Sequence, residues 1–97
     1  MKIICDLDGT LCTQEGKDYP SAKPIQKRID KINKLARLGH KIHIWTARGT
    51  TSGINWRELT EKQLKEWGVQ YAELSFGKPH YDVWVDDKAQ EANQFFK

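Results

Sequence analysis

The sequence predicts an α/β protein, a three-layer sandwich with a mostly parallel sheet, and three observations carry that prediction. Short runs of apolar, β-forming residues (Ile3 to Cys5, Ile42 to Trp45, Tyr81 to Val85) alternate with longer stretches in which apolar residues recur every three or four positions. Gly39 and Gly68 stand where two of those helical stretches should stop. Polar residues follow the apolar runs at once, as in parallel sheets, whose ligands bind beyond the carboxyl ends of the strands.

The elements follow in order. Residues 2 to 6 form the first strand, ending in Asp6. From Leu7 to Pro24 the chain is irregular, with Gly9, Gly16 and Pro20, and so long a loop in a small domain is usually functional. Tyr19-Pro20-Ser21 lies late in it, placed to close over a site. Pro24 suits the first turn of a helix, and Ile25, Ile29, Ile32, Leu35 or Ala36, and Leu38 form one apolar face. The opposite face, with Lys27, Arg28, Asp30, Lys31 and Lys34, reads as solvated surface. His40 to Trp45 is a second strand, followed by Thr46-Ala47-Arg48-Gly49. A second helix runs roughly from Trp56 to Trp67, and a short third strand lies near Gln70 to Leu74. The loop Ser75-Phe76-Gly77-Lys78-Pro79 precedes a fourth strand, Tyr81 to Val85, which ends in Asp86-Asp87. Lys88 to Phe96 is expected to be a terminal helix.

The 97 residues suit a single domain, 1–97, and 38% hydrophobic residues with four Trp and three Phe suffice for one core. The net charge of +3 is mild and its charges are interspersed, so nucleic acid is not an expected partner. No apolar stretch approaches the ~20 residues of a membrane span. Lys2 is followed by only three apolar residues, which is no signal peptide, so a cytoplasmic chain is the default. Cys5 and Cys12 read as two reduced thiols, and no cysteine or histidine spacing suits zinc. His43 alternates with Ile42 and Ile44, which points to surface or structural packing.

The sharpest feature is Asp6-Leu7-Asp8-Gly9-Thr10. Alternation aims Asp6 and Asp8 the same way, and two acids aimed together need a cation, a shared proton, or separate ionisation states. The other strand ends add Thr46, Lys78, Asp86 and Asp87. Four acids and a lysine at one rim suggest a phosphate and a hard divalent cation, Mg²⁺.

These four elements, Asp6-Leu7-Asp8-Gly9-Thr10-Leu11, Thr46, Lys78 and Asp86-Asp87, resemble in order the four motifs of the haloacid dehalogenase (HAD) superfamily. The intervening strands and helices extend the resemblance over nearly the whole chain. It implies a Rossmann-like core and a Mg²⁺-dependent phosphomonoesterase. Small bacterial relatives with such an ending are associated with capsule or sugar-phosphate metabolism. In the implied roles, Asp6 attacks phosphorus to form an aspartyl-phosphate. Asp8 protonates the leaving group and then activates water. Thr46 and the Ala47 amide hold a phosphate oxygen, and Lys78 offsets the charge. Leu7, Gly9, Thr10 and Arg48 complete the substrate contacts, with Arg48 equally readable as a loop residue. Asp6, the Asp8 carbonyl and Asp87 would hold the metal, with Asp86 bonded to Lys78 or a metal-bound water. An acid at position 8 favours phosphate transfer over halide displacement.

Larger members carry a cap domain, but the 38 positions between Asp8 and Thr46, and the 32 between Thr46 and Lys78, leave no room for one. A capless site is expected to be open, covered by the loop from Cys12 to Pro24 or by a neighbouring subunit. The expected substrate is a small phosphorylated molecule, a sugar phosphate or nucleotide, with a phosphorylated macromolecule as the alternative. A receiver-like signalling module is disfavoured by motif order, since its phosphorylated Asp would end the third strand. A scaffold that binds phosphate without turnover is disfavoured because every catalytic position is filled.

Overall fold

A computed structural model describes residues 1–97. Three parallel strands, β1 (Lys2–Cys5), β2 (Lys41–Trp45) and β3 (Glu73–Ser75), lie in the order β1-β2-β3. Cys5 pairs with Ile44, and Ile44 with Leu74, so the three strands end nearly in step at one rim. Helix α1 (Gln26–Arg37) joins β1 to β2 and α2 (Arg57–Glu66) joins β2 to β3. The strand order runs in one direction, so two right-handed crossovers put both helices on the same face. The α/β class with a parallel sheet is the one that the sequence predicts, and no cap domain is present.

The core follows from that placement. Ile42 and Ile44 of β2 and Cys5 of β1 meet Ile29 and Ile32 of α1 and Leu64 of α2, with Leu7, Leu11 and Cys12 of the first loop sealing the rim. Fully burying each such aliphatic side chain contributes roughly 1.5–3 kcal/mol. Strand alternation sends Lys2, Ile4, Lys41, His43, Trp45, Glu73 and Ser75 to the other face. The layer there is aromatic rather than helical: Trp84 packs edge-on against Trp45 at 5.9 Å, and Tyr81 against Trp84 at 5.2 Å. His43 is structural, as expected, with Nε2 2.8 Å from the Ser75 hydroxyl.

Two expectations fail. Tyr81 to Val85 is not a strand, and the terminal helix shrinks to α3 (Ala92–Phe95). The first failure is a matter of chain length. Five residues separate Ser75 from Tyr81, whereas a crossover to a parallel strand needs about a dozen or more. The second has a local cause: the Glu91 carboxylate accepts the amides of Asn93 and Gln94, and this side-chain cap sets the helix start there. The ring of Phe95 lies 4.4 Å from Lys31 Nζ, which anchors α3 on α1.

Candidate active site

The rim carries two carboxylates, and each has its own cation. Asp6 follows the last residue of β1. Its side chain is 33% exposed; Oδ1 lies 3.4 Å from Lys78 Nζ and Oδ2 accepts the Thr10 hydroxyl at 3.3 Å. Lys78 is brought there by its own amide, which donates to the Thr46 carbonyl at 3.2 Å, and by its carbonyl, which accepts the Thr50 hydroxyl at 2.9 Å.

Asp8 points elsewhere. Arg48 grips it with a two-pronged bond, Nε to Oδ2 and Nη2 to Oδ1, both at 2.9 Å. The arginine side chain is fully buried and that of Asp8 is 11% exposed. Arg48 Nη1 donates to Thr60 Oγ1 at 3.1 Å and to Gln63 Oε1 at 2.5 Å, both on α2. The Tyr19 ring lies 4.8 Å from the guanidinium carbon. Tyr19 is itself held by its carbonyl, which accepts Gln63 Nε2 at 2.8 Å, and by an edge contact with Trp56 at 5.0 Å. The stretch Tyr19–Ser21, a single 3-10 turn, is thus a fixed cover over Arg48. Burial, then the Asp8 charge, raises the Tyr19 phenol above its ordinary value against the pull of Arg48.

The turn from 46 to 49 positions this group. The Arg48 amide donates to Thr46 Oγ1 at 3.1 Å, which leaves the threonine hydroxyl hydrogen free. Thr46 is 1% exposed, so its reach into the site is short. Gly49 has φ +81°, and a Cβ there would lie 2.2 Å from the Ile54 carbonyl oxygen, so only glycine closes this turn. Gly9 also has positive φ and its amide donates to the Cys12 carbonyl, curling the first loop back on itself. The Leu7 side chain is core, and its carbonyl accepts the amides of Thr10 and Leu11. The amides of Leu7 and Asp8 donate to no backbone acceptor.

Two clefts flank the 46–49 turn. One of about 290 Å³ is lined by Arg48, Thr50, Asn55, Trp56, Arg57 and Phe76. Its neighbour, about 150 Å³, is lined by Lys17, Tyr19, Ala47, Ser52 and His80 among others. Neither is lined by Asp6 or Asp8. Lys17, Phe76 and His80 were not legible as site-flanking residues, since each lies in a loop without periodicity.

A scan against family models matches residues 3–70 to haloacid dehalogenase-like hydrolases. The chain belongs to this family. Among solved structures, this HAD-like hydrolase is similar to a structural-genomics target from Vibrio cholerae, with 30% identity and a TM-score of 0.88, over 98% of this chain and 86% of that one. It shares its fold with chains of two Pnkp1/Rnl/Hen1 structures, the second described as an RNA repair complex. Those matches are 22% identical, with TM-scores of 0.65 and 0.64, and this chain spans only 33% and 29% of their lengths. No curated protein sequence matches the chain.

The HAD-like chain does not assemble a metal-binding donor set by itself. No three His, Cys, Asp or Glu side chains converge on one point. Both oxygens of Asp8 are taken by Arg48, which leaves Asp6 as the more open of the two carboxylates. Asp86 and Asp87 are exposed, and Asp86 instead accepts the Lys88 amide at 2.8 Å. That bond, then Asp87, holds the Asp86 carboxyl below its ordinary range. Cys5 and Cys12 are both free thiols, pushed up to about 12 chiefly by burial and next by the adjacent Asp6 and Asp8 respectively. They stay protonated and unreactive near neutral pH.

Proposed function

We propose that this HAD-like hydrolase is a phosphomonoesterase that works through an aspartyl-phosphate on Asp6, on a small phosphorylated substrate such as a sugar phosphate or nucleotide. The observation that carries the reading is the division of the acids: Asp6 is open beside Lys78, while Asp8 is withdrawn under Arg48. In the first step an Asp6 oxygen bonds to phosphorus as the ester oxygen leaves. Lys78, the Leu7 and Asp8 amides and the Thr46 hydroxyl offset the charge on the phosphoryl oxygens. Asp8 carries a proton to the leaving oxygen, which requires one carboxylate oxygen to swing free of Arg48. Water then attacks the acyl phosphate with Asp8 as base, and inorganic phosphate departs.

Mg²⁺ dependence belongs to the same proposal. When bound, the ion masks phosphate charge, and its donors would be Asp6, the Asp8 carbonyl and an acid of the 86–87 pair. These donors do not converge within one chain, so the steps above rest on protein groups alone.

The test is phosphate release from p-nitrophenyl phosphate, with and without Mg²⁺, by the wild type and Asp6→Asn. Turnover is expected to vanish in the variant; equal turnover would sink the assignment. A phosphorylated macromolecule is the second reading, favoured by the absence of a cap and by the flanking cleft lined by Trp56, Phe76 and Arg57. It predicts a higher kcat/KM on a phosphorylated polymer than on the matching monomer.

A further inference from the structure

Two unfinished parts of this chain complement each other. The first is the outer edge of β1. A parallel ladder engages alternate residues of each strand. The Lys41 amide donates to the Met1 carbonyl, which sets the alternation, so the backbone groups of Lys2 and Ile4 face away from β2. No strand lies on that side, and Ile4 is 56% exposed. The second is the arm from 79 to 90. None of its residues joins a backbone–backbone hydrogen bond, and Val83 and Val85 are 77% and 91% exposed. Open strand edges and unpaired β-prone segments are features that folded proteins ordinarily cover.

The chain cannot join these two parts to itself. A strand parallel to β1 must begin at the end of the sheet opposite the rim where β3 stops, and two strands away. Gly77 and Lys78 are already tied to the rim, since Lys78 bonds Thr46 and Thr50. Only Pro79 and His80 remain before Tyr81, far short of the dozen or so residues of a parallel crossover. A second copy has no such limit.

We infer that Tyr81 to Val85 of one copy adds to the β1 edge of a second copy as a parallel fourth strand, reciprocally in a closed dimer. A strand ending beside Cys5 carries Asp86 and Asp87 to the level of Asp6 of the second copy, which supplies the acids that one chain lacks. The exchange gives up the contact of Trp84 with Trp45 and pairs the arm's backbone in its place, and α3 travels with the arm onto the other copy's α1. It also relieves a thin core, since only 15 of 97 residues are buried and the cluster lies on one face of the sheet. The claim about the site rests on the phosphatase reading; the strand exchange stands on backbone geometry alone.

Light scattering is expected to give twice the 11.3 kDa of one chain. The pair Val83→Asp with Val85→Asp, exposed in one chain and harmless to its folding, is expected to halve that mass. Mixing Lys2→Cys chains with Val83→Cys chains under oxidation is expected to give a covalent dimer that neither gives alone. Refolding Asp6→Asn together with Asp86→Asn/Asp87→Asn at equal amounts is expected to restore about a quarter of wild-type activity, because half the dimers are mixed and one of their two sites is intact. A monomer at micromolar concentration, or no mixed cross-link, would overturn the exchange. An active wild type without complementation would do the same. A cross-linked dimer without phosphatase activity would uphold the exchange and remove the phosphatase reading.

Discussion

Asp6 and Asp8 stand two positions apart, yet one is a third exposed beside a lysine at 3.4 Å and the other is held at 2.9 Å on both oxygens by a fully buried arginine. The difference shows how a chain places two acids at a strand mouth without their repelling each other. A flexible ammonium that touches one oxygen leaves Asp6 partly exposed at the rim. A planar guanidinium that covers both oxygens fixes the orientation of Asp8 and surrenders it only when a bond breaks. In the proposed reaction the loose pair leaves the Asp6 nucleophile accessible, and Asp8 acts only after one of its oxygens has left Arg48.

The largest effect is expected at the loose pair. Asp6→Asn removes the attacking oxygen and should lower kcat by about 10⁴-fold or more, while its urea midpoint stays close to the wild type. Equal losses in stability and activity would mean that Asp6 is structural after all. Arg48→Ala should behave in the opposite way. It strands the Asp8 carboxylate, Thr60 and Gln63 in a buried site, and urea unfolding should show a loss of about 3–5 kcal/mol. Arg48→Lys keeps the charge but loses the fork, and should recover only part of that loss.

Lys78→Ala is expected to cost less activity than Asp6→Asn and less stability than Arg48→Ala. About 10²- to 10³-fold in kcat/KM is expected from the lost charge at the phosphoryl oxygens, with less than ~1 kcal/mol of stability, since the pair is partly solvated. The last effect, confined to alkaline pH, is a pH dependence of stability set by the two buried thiols. Cys5 and Cys12 titrate near 12 when folded, against an ordinary value of 9.0. The unfolded chain therefore binds fewer protons between those values, and stability should fall as pH rises above 9. The slope is about 1.4 kcal/mol per pH unit for each thiol. A urea midpoint that does not move between pH 9 and 11 would show that the thiols are not shielded as described.

Most of the fold was legible locally. The apolar periodicity of Ile25, Ile29 and Ile32 and the β-forming run of Ile42 to Trp45 each report one face of one element, and α1 and β2 appear where those patterns place them. The positions of Asp6, Thr46 and Lys78 at strand ends followed from the same reading. Arg48 was left between substrate and loop because its partners lie 40 positions back and 12 and 15 forward. A usable signal existed: Thr60 and Gln63 fall at three-residue spacing on the apolar stripe of α2 beside Leu64, where buried polar groups demand a partner.

The arm from 79 to 90 marks the boundary between the two kinds of information. Composition by itself determined that Tyr81 to Val85 is apolar and β-prone and that Asp86 and Asp87 follow it. Only the tertiary structure decided whether that segment has an edge to pair with and enough chain to reach it. Periodicity is a property of neighbouring residues, whereas pairing depends on the distance between strand ends and the length of chain left to span it.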